Sequence, residues 1–220
     1  MASLLELKTK LELPPEETET VEMTRWIWPR PITFAEFLEL TGLPKHVELI
    51  DGVVVEKMAV QLDHEKLLVW LLTILNQYIE DHNLGILLGS RTAVEISQYR
   101  GRLPDLLFVK RERMQIVQQK AVFGAPDLTI EIVSPGDRRA DRIALEADYR
   151  SLKVAEIVFI DQRKKRIRVL RLRGNDYEET TLTTGSLQLE SIAGVSLELD
   201  WLLSEPRPTA RETLLLLSGA

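Results

Sequence analysis

The chain has 220 residues, 45% of them apolar, a formal charge of −6 and no cysteine. That length suits one domain with appendages. The missing cysteine excludes disulfides and thiolate chemistry, and three histidines are a poor basis for a zinc site. The N-terminus lacks the build of a signal peptide and no apolar run reaches membrane-spanning length, so a cytoplasmic protein that does not engage a membrane is expected.

Charge is spread unevenly. Residues 137–173 hold twelve Lys or Arg against six Asp or Glu, a local balance of +6 in a chain that is otherwise acidic. Such a segment could meet a phosphate backbone. It could equally be a solvated helix face beside a charge-guarded edge strand.

Residues 1–30 show no clear period and read as an N-terminal arm. Its leucines, and the Trp26-Ile27-Trp28 run, need cover from the core or from a second subunit, and Pro14 to Thr20 has a disordered composition. Thr33 and Glu36 stand at capping-box spacing ahead of a short helix with Phe34, Phe37 and Leu38 on its apolar side. Val47 to Val55, broken by Asp51-Gly52, predicts a β-hairpin. Glu48 alternates against Val47 and Leu49, which by itself places it on the solvent side. Asp63 to about His82 carries a 3.6-residue apolar period and predicts a helix lying across a sheet. His64, alone in its first turn, reads as a local polar contact rather than a ligand.

Gly85 to Ile96 reads as one or two strands, and 111–123 as a helix and loop without a clear pattern. Arg138 to Leu152 predicts a helix with a narrow apolar side. Ile157 to Asp161 and Ile167 to Leu172 are further strands, with alternation flipping at Val169-Leu170 in the manner of a bulge. Tyr177 to Leu182 and short segments around Leu187 and Leu197 follow. Thr209 and Glu212 repeat the capping-box spacing before a leucine-rich C-terminal helix. The predicted organisation is an arm over 1–30, a domain over 31–203 and a helical tail over 204–220.

The centre of the chain is a pair of apolar strands, Leu103 to Val109 and Asp127 to Val133, each with one carboxylate among aliphatic neighbours: Asp105 and Glu131. A buried carboxylate without a partner is costly. Two of them on strands that can be neighbours point to a shared cation. Strand, strand, helix, strand then forms an α/β core.

The order of these segments resembles the bacterial putative restriction endonuclease family, once a domain of unknown function, within the PD-(D/E)XK superfamily. The residues that carry the resemblance are Thr-Phe-x-x-Phe-Leu at 33–38, Val-Glu-Leu-Ile-Asp-Gly at 47–52, His64, Pro104-Asp105, the run from Gly124 to Pro135, Asp141, Tyr149 and Glu156 to Asp161. The match runs from about Ile32 to Leu203. It implies a restriction-endonuclease-like α/β fold: a mixed central sheet flanked by helices, with an N-terminal β-hairpin and extra C-terminal strands.

It also implies an endonuclease that hydrolyses DNA phosphodiesters with Mg²⁺ (or Mn²⁺). Asp105 and Glu131 would hold the ion with the backbone carbonyl of Ile132, and Glu48 would be an additional acidic group beside it. Superfamily members place a Lys two residues after the Glu, or on the next helix four residues before the Tyr. Those positions are Val133 and Leu145 here. Arg142 is the substitute cation one turn earlier, and Arg138, Arg139 and Arg142 are the expected DNA contacts. DNA's two strands make a homodimer sensible. The rival expectation is a catalytically silent relative that keeps the fold as a DNA-binding or protein-interaction module.

Overall fold

The computed structural model describes residues 5–10, 22–44, 46–56, 61–89, 91–134 and 138–217. The run from Pro14 to Thr20, with Pro135, Gly136 and Asp137, lies outside the described residues.

β1 (Leu5–Lys10) and β2 (Glu22–Ile27) pair antiparallel. Trp26 and Trp28 are partly buried against a cluster built on Phe34, Leu49 and Val54, which covers these two side chains of the arm. α1 (Phe34–Leu38) starts at the capping box: Thr33 Oγ1 accepts from the Glu36 backbone N–H, while the Glu36 carboxylate accepts from the Thr33 N–H. β3 (Val47–Ile50) and β4 (Val53–Glu56) form the hairpin, and β2 pairs with β4. The turn has Asp51 at φ 51° and Gly52 at φ 77°. Two successive positive φ angles are why Asp-Gly is favoured there.

α2 (Leu62–Asp81) buries Leu67, Leu68, Leu71, Ile74, Leu75, Tyr78 and Ile79. β5 (Gly85–Gly89) and β6 (Ala93–Ser97) enter different sheets, so this stretch is two strands. β7 (Arg100–Arg102) and β8 (Leu106–Lys110) follow, then a 3-10 helix over Arg111–Ile116 and β9 (Ala121–Phe123). β10 (Leu128–Ile132), α3 (Arg139–Leu152) and β11 (Glu156–Asp161) make a strand–helix–strand unit with parallel strands. β12 (Arg166–Arg173), β13 (Asp176–Leu182), the ribbon of β14 (Ser186–Gln188) and β15 (Ser196–Glu198), α4 (Leu199–Leu203) and α5 (Ala210–Leu217) complete the chain.

The central mixed sheet has the order β13-β12-β11-β10-β8-β5. A second sheet, β1-β2-β4-β3-β7-β6-β9, takes in the N-terminal hairpin. On one face of the central sheet the main core gathers Leu106, Phe108, Ile130, Ile132, Val158 and Ile160 under α2. On the other, Ile157, Phe159 and Leu170 pack under α3 with Tyr149.

That arrangement corrects one expectation. The β11–β12 register runs unbroken from Glu156 opposite Arg171 to Asp161 opposite Arg166, so Val169 and Leu170 mark no bulge. Both are buried because the strand is covered on both faces: Val169 joins the core under α2 and Leu170 the cluster under α3. In α5, Leu214 and Leu217 pack against the main core while Leu215 and Leu216 are exposed. Among the described residues no helix is long and apolar enough to cross a membrane.

Candidate functional site

All five residues of β10 are buried. Ile130 and Ile132 face α2, so strand alternation turns Glu131 to the opposite face, beneath α3. There its Oε1 accepts a hydrogen bond from Tyr149 Oη at 2.5 Å. Tyr149 is fully buried, and burial together with the adjacent Glu131 carboxylate pushes its phenol well above the ordinary tyrosine value. The phenol therefore stays protonated and keeps donating to Glu131.

Asp105 follows Pro104, whose missing N–H does least harm just ahead of a strand. Its Oδ2 accepts the Ile132 backbone N–H at 2.9 Å. Ile132 is the residue after Glu131, so this bond ties Asp105 to the end of β10. The same Oδ2 lies 3.0 Å from His64 Nε2, in the first turn of α2. His64 is buried, and its Nδ1 meets no partner among the described residues. It makes the polar contact expected of it, but across 41 residues of sequence rather than locally.

Glu48 is buried, not solvent-facing as strand alternation placed it. It sits on β3 within the second sheet, and its carboxylate is engaged by the end of the neighbouring strand β7. Its Oε2 is 2.9 Å from an Arg102 terminal nitrogen, and its Oε1 accepts the Leu103 backbone N–H at 3.0 Å. Arg102 Nε reaches Asp148 at 2.6 Å, and Arg100 spans Asp148 at 3.1 Å and Asp51 at 2.6 Å. Burial works against the charge on Arg102, yet Glu48 and Asp148 outweigh it and its pKa is raised. This chain of alternating charges ties β3, β7 and α3 together beside Tyr149. Sequence reasoning missed Arg100, Arg102 and Asp148. The available signal was their position, an Arg-Gly-Arg run just before Leu103-Pro104-Asp105 and an Asp next to Tyr149.

Glu48 is thus tied to Arg102 and Leu103, Asp105 to Ile132 and His64, and Glu131 to Tyr149. Arg142 and Arg139 line a groove that begins at Val133, while Arg138 pairs with Asp141 at 2.7 Å. Leu145 turns inward and packs, with Val133, against the cluster of Tyr149, Ile157 and Phe159.

The donor chemistry fits a hard cation. Mg²⁺ keeps several waters and needs one or two carboxylates from the protein. Among the described residues no group of three or more His, Asp or Glu is placed to hold a metal. Glu48 has both oxygens engaged, by Arg102 and by the Leu103 backbone.

The family model described as "Uma2: Putative restriction endonuclease" matches residues 34–201. The chain belongs to the Uma2 family. A search of curated proteins found no match. Among solved structures, one similar chain is described as a putative nuclease belonging to DUF820 from Anabaena variabilis ATCC 29413. It is 18% identical, with a TM-score of 0.61 over 85% of this chain and 99% of the other. At that identity the likeness shows the fold. Both the family and the nuclease-like α/β core expected from the sequence are therefore borne out, with the qualification that the hairpin belongs to a second sheet.

Proposed function

We propose that this Uma2 protein is a divalent-metal-dependent endonuclease that hydrolyses DNA phosphodiesters. The observation that supports the reading is the hydrogen bond from the Ile132 backbone N–H to Asp105, which ties one buried carboxylate to the residue that follows the other, Glu131. Asp105, Glu131 and the Ile132 carbonyl would hold Mg²⁺ or Mn²⁺. When bound, such an ion supplies a Lewis acid for a phosphoryl oxygen and lowers the pKa of a water.

The remaining work falls to the chain itself. Tyr149 fixes the Glu131 carboxylate, and the Ile132 N–H with His64 fixes that of Asp105. Glu48 holds Arg102, which braces β7 against α3. Arg142, with Arg138 and Arg139, would meet phosphate charge. A guanidinium binds phosphate well but stays charged, so Arg142 replaces only the electrostatic part of a Lys and transfers no proton. A homodimer would offer one such site to each DNA strand.

One observation favours a second reading. Leu145 and Val133 fill the space of the usual Lys with apolar contacts, as a catalytically silent DNA-binding or protein-interaction module would. General acid–base and electrostatic contributions are each worth on the order of 10²–10⁴-fold, enough to silence a site.

Nicking of supercoiled plasmid in Mg²⁺ and in Mn²⁺ at low salt separates the two readings. Cleavage by the wild type that is lost in both Asp105→Ala and Glu131→Ala is expected. Absence of cleavage under all conditions would favour the silent module.

A further inference from the structure

The first turns of α3 and the β11–β12 hairpin enclose a groove of about 520 Å³ that opens beside Val133, two residues beyond Glu131. Five cationic side chains line it, Arg139 and Arg142 from α3 and Lys164, Arg166 and Arg168 from the hairpin, against two carboxylates, Glu146 and Asp161. Both carboxylates are already engaged. Glu146 pairs with Arg150 at 2.9 Å and Arg168 at 3.0 Å, and Asp161 accepts the Lys164 backbone N–H at 3.0 Å. Arg168 is further held by Glu179 at 2.7 Å.

Arg139, Lys164 and Arg166 differ. Arg139 and the Lys164 ammonium make no ion pair among the described residues. Arg166 Nε is buried there with no acceptor among the described residues. Arg139 and Lys164 are exposed, while Arg166 is half-buried with its Nε shut away from water, so five cations gather about two carboxylates that are already engaged. The N-terminus of the fourteen-residue α3 adds to the field, since the N-cap Arg138 gives it no side-chain cap and its free N–H groups carry partial positive charge. The volume falls in the range of built ligand sites, roughly 300–1,000 Å³. Val133 and Ile143 supply an apolar wall.

We propose that this groove is a phosphate-binding subsite that takes the sugar–phosphate backbone of a nucleic-acid strand next to the phosphodiester held at Asp105 and Glu131. The assignment of the neighbouring site rests on the nuclease reading; the ligand chemistry rests on the groove's own residues. A strand is favoured over a free nucleotide because the groove continues directly from the end of β10, so a backbone lying on the carboxylates runs into it. Backbone contacts of this kind position a strand and do not read its sequence.

The test uses the full chain in EDTA, which stops metal-dependent cutting, and follows anisotropy of labelled single-stranded and duplex oligonucleotides between about 50 and 200 mM salt. Lys164→Ala and Arg166→Ala, alone and combined, are compared with the wild type after circular dichroism confirms folding. Each single variant is expected to weaken binding evenly across sequences and to lower the salt slope by about 1. Lys164→Glu should weaken binding further, and it lies in an exposed turn where folding is not at stake. Unchanged affinity and slope would overturn the proposal, as would a wild type that binds no oligonucleotide. Inorganic phosphate or a mononucleotide displacing the probe as well as unlabelled oligonucleotide does would assign the groove to free phosphates and overturn the strand. Plasmid nicking is read separately. Groove-dependent binding without nicking leaves the subsite standing and the nuclease reading failed; nicking with groove-independent binding does the reverse.

Discussion

Tyr149 carries more of the account than any other single side chain, because it fixes Glu131 from a fully buried position. Tyr149→Phe removes that donor and leaves a buried carboxylate short of one partner. The expected cost is about 1–3 kcal/mol, measured by urea unfolding. A second tyrosine gives a pH signature. Burial pushes Tyr177 to about 12 and Tyr149 higher than its ordinary value too. An unfolded tyrosine titrates near about 10. The fold therefore prefers both protonated phenols, and the Tyr177 contribution is complete below about pH 10 and lost as pH rises through about 12. Tyr177→Phe should flatten the decline in unfolding free energy over that window; identical slopes in variant and wild type would contradict the assignment. Leu145→Lys places an ammonium where the family pattern expects one. On the nuclease reading, nicking should rise by at least about tenfold. A fall in both activity and stability would instead mean that the apolar cluster with Val133 cannot admit the charge.

Among the elements, α1 and α5 were the most legible, since a capping box is local chemistry: Thr33 with Glu36 and Thr209 with Glu212 both form as their spacing predicts. Glu48 was not legible. Alternation tells which residues of a strand share a face but not what covers that face, and Arg102 arrives from 54 residues away. The same limit turned the doubly covered β12 into an apparent bulge. Glu156, at the start of β11, shows how such distant partners stabilise elements. It is 1% exposed and accepts from Arg171 Nε at 2.9 Å and from the Ser191 backbone N–H at 2.9 Å, which pins the loop of the β14–β15 ribbon to the central sheet. Glu156→Ala leaves the buried Ser191 amide without that acceptor, while the half-buried Arg171 keeps Glu190 and the Gln188 carbonyl, and should cost about 1–3 kcal/mol in chemical denaturation. Glu156→Gln keeps an acceptor oxygen and should lose less. A loss under about 1 kcal/mol in the alanine variant would show that the ribbon is held elsewhere.

On the scale of the molecule, the strand–helix–strand core could be read from the sequence because each element is long, periodic and bounded by Gly, Pro or Asp. The second sheet could not, because it assembles short strands from the arm, the hairpin and β9, and pairings at that separation leave no local pattern. The site divides in the same way. Asp105 and Glu131 stood out as charges inside apolar strands, whereas Arg100, Arg102, Asp148 and the hairpin side of the groove become visible only when the two sheets and α3 meet. What results is two buried carboxylates near the end of β10, Asp105 held by His64 and Glu131 by Tyr149, with a cation-rich groove beginning at Val133. We propose that the two carboxylates form a cation site. The measurement that tests this most directly is a calorimetric titration of Mn²⁺ into the metal-free wild type, Asp105→Ala and Glu131→Ala, with no nucleic acid present. A saturable site in the wild type that disappears in both variants is the predicted result; the same heats in all three proteins would contradict it.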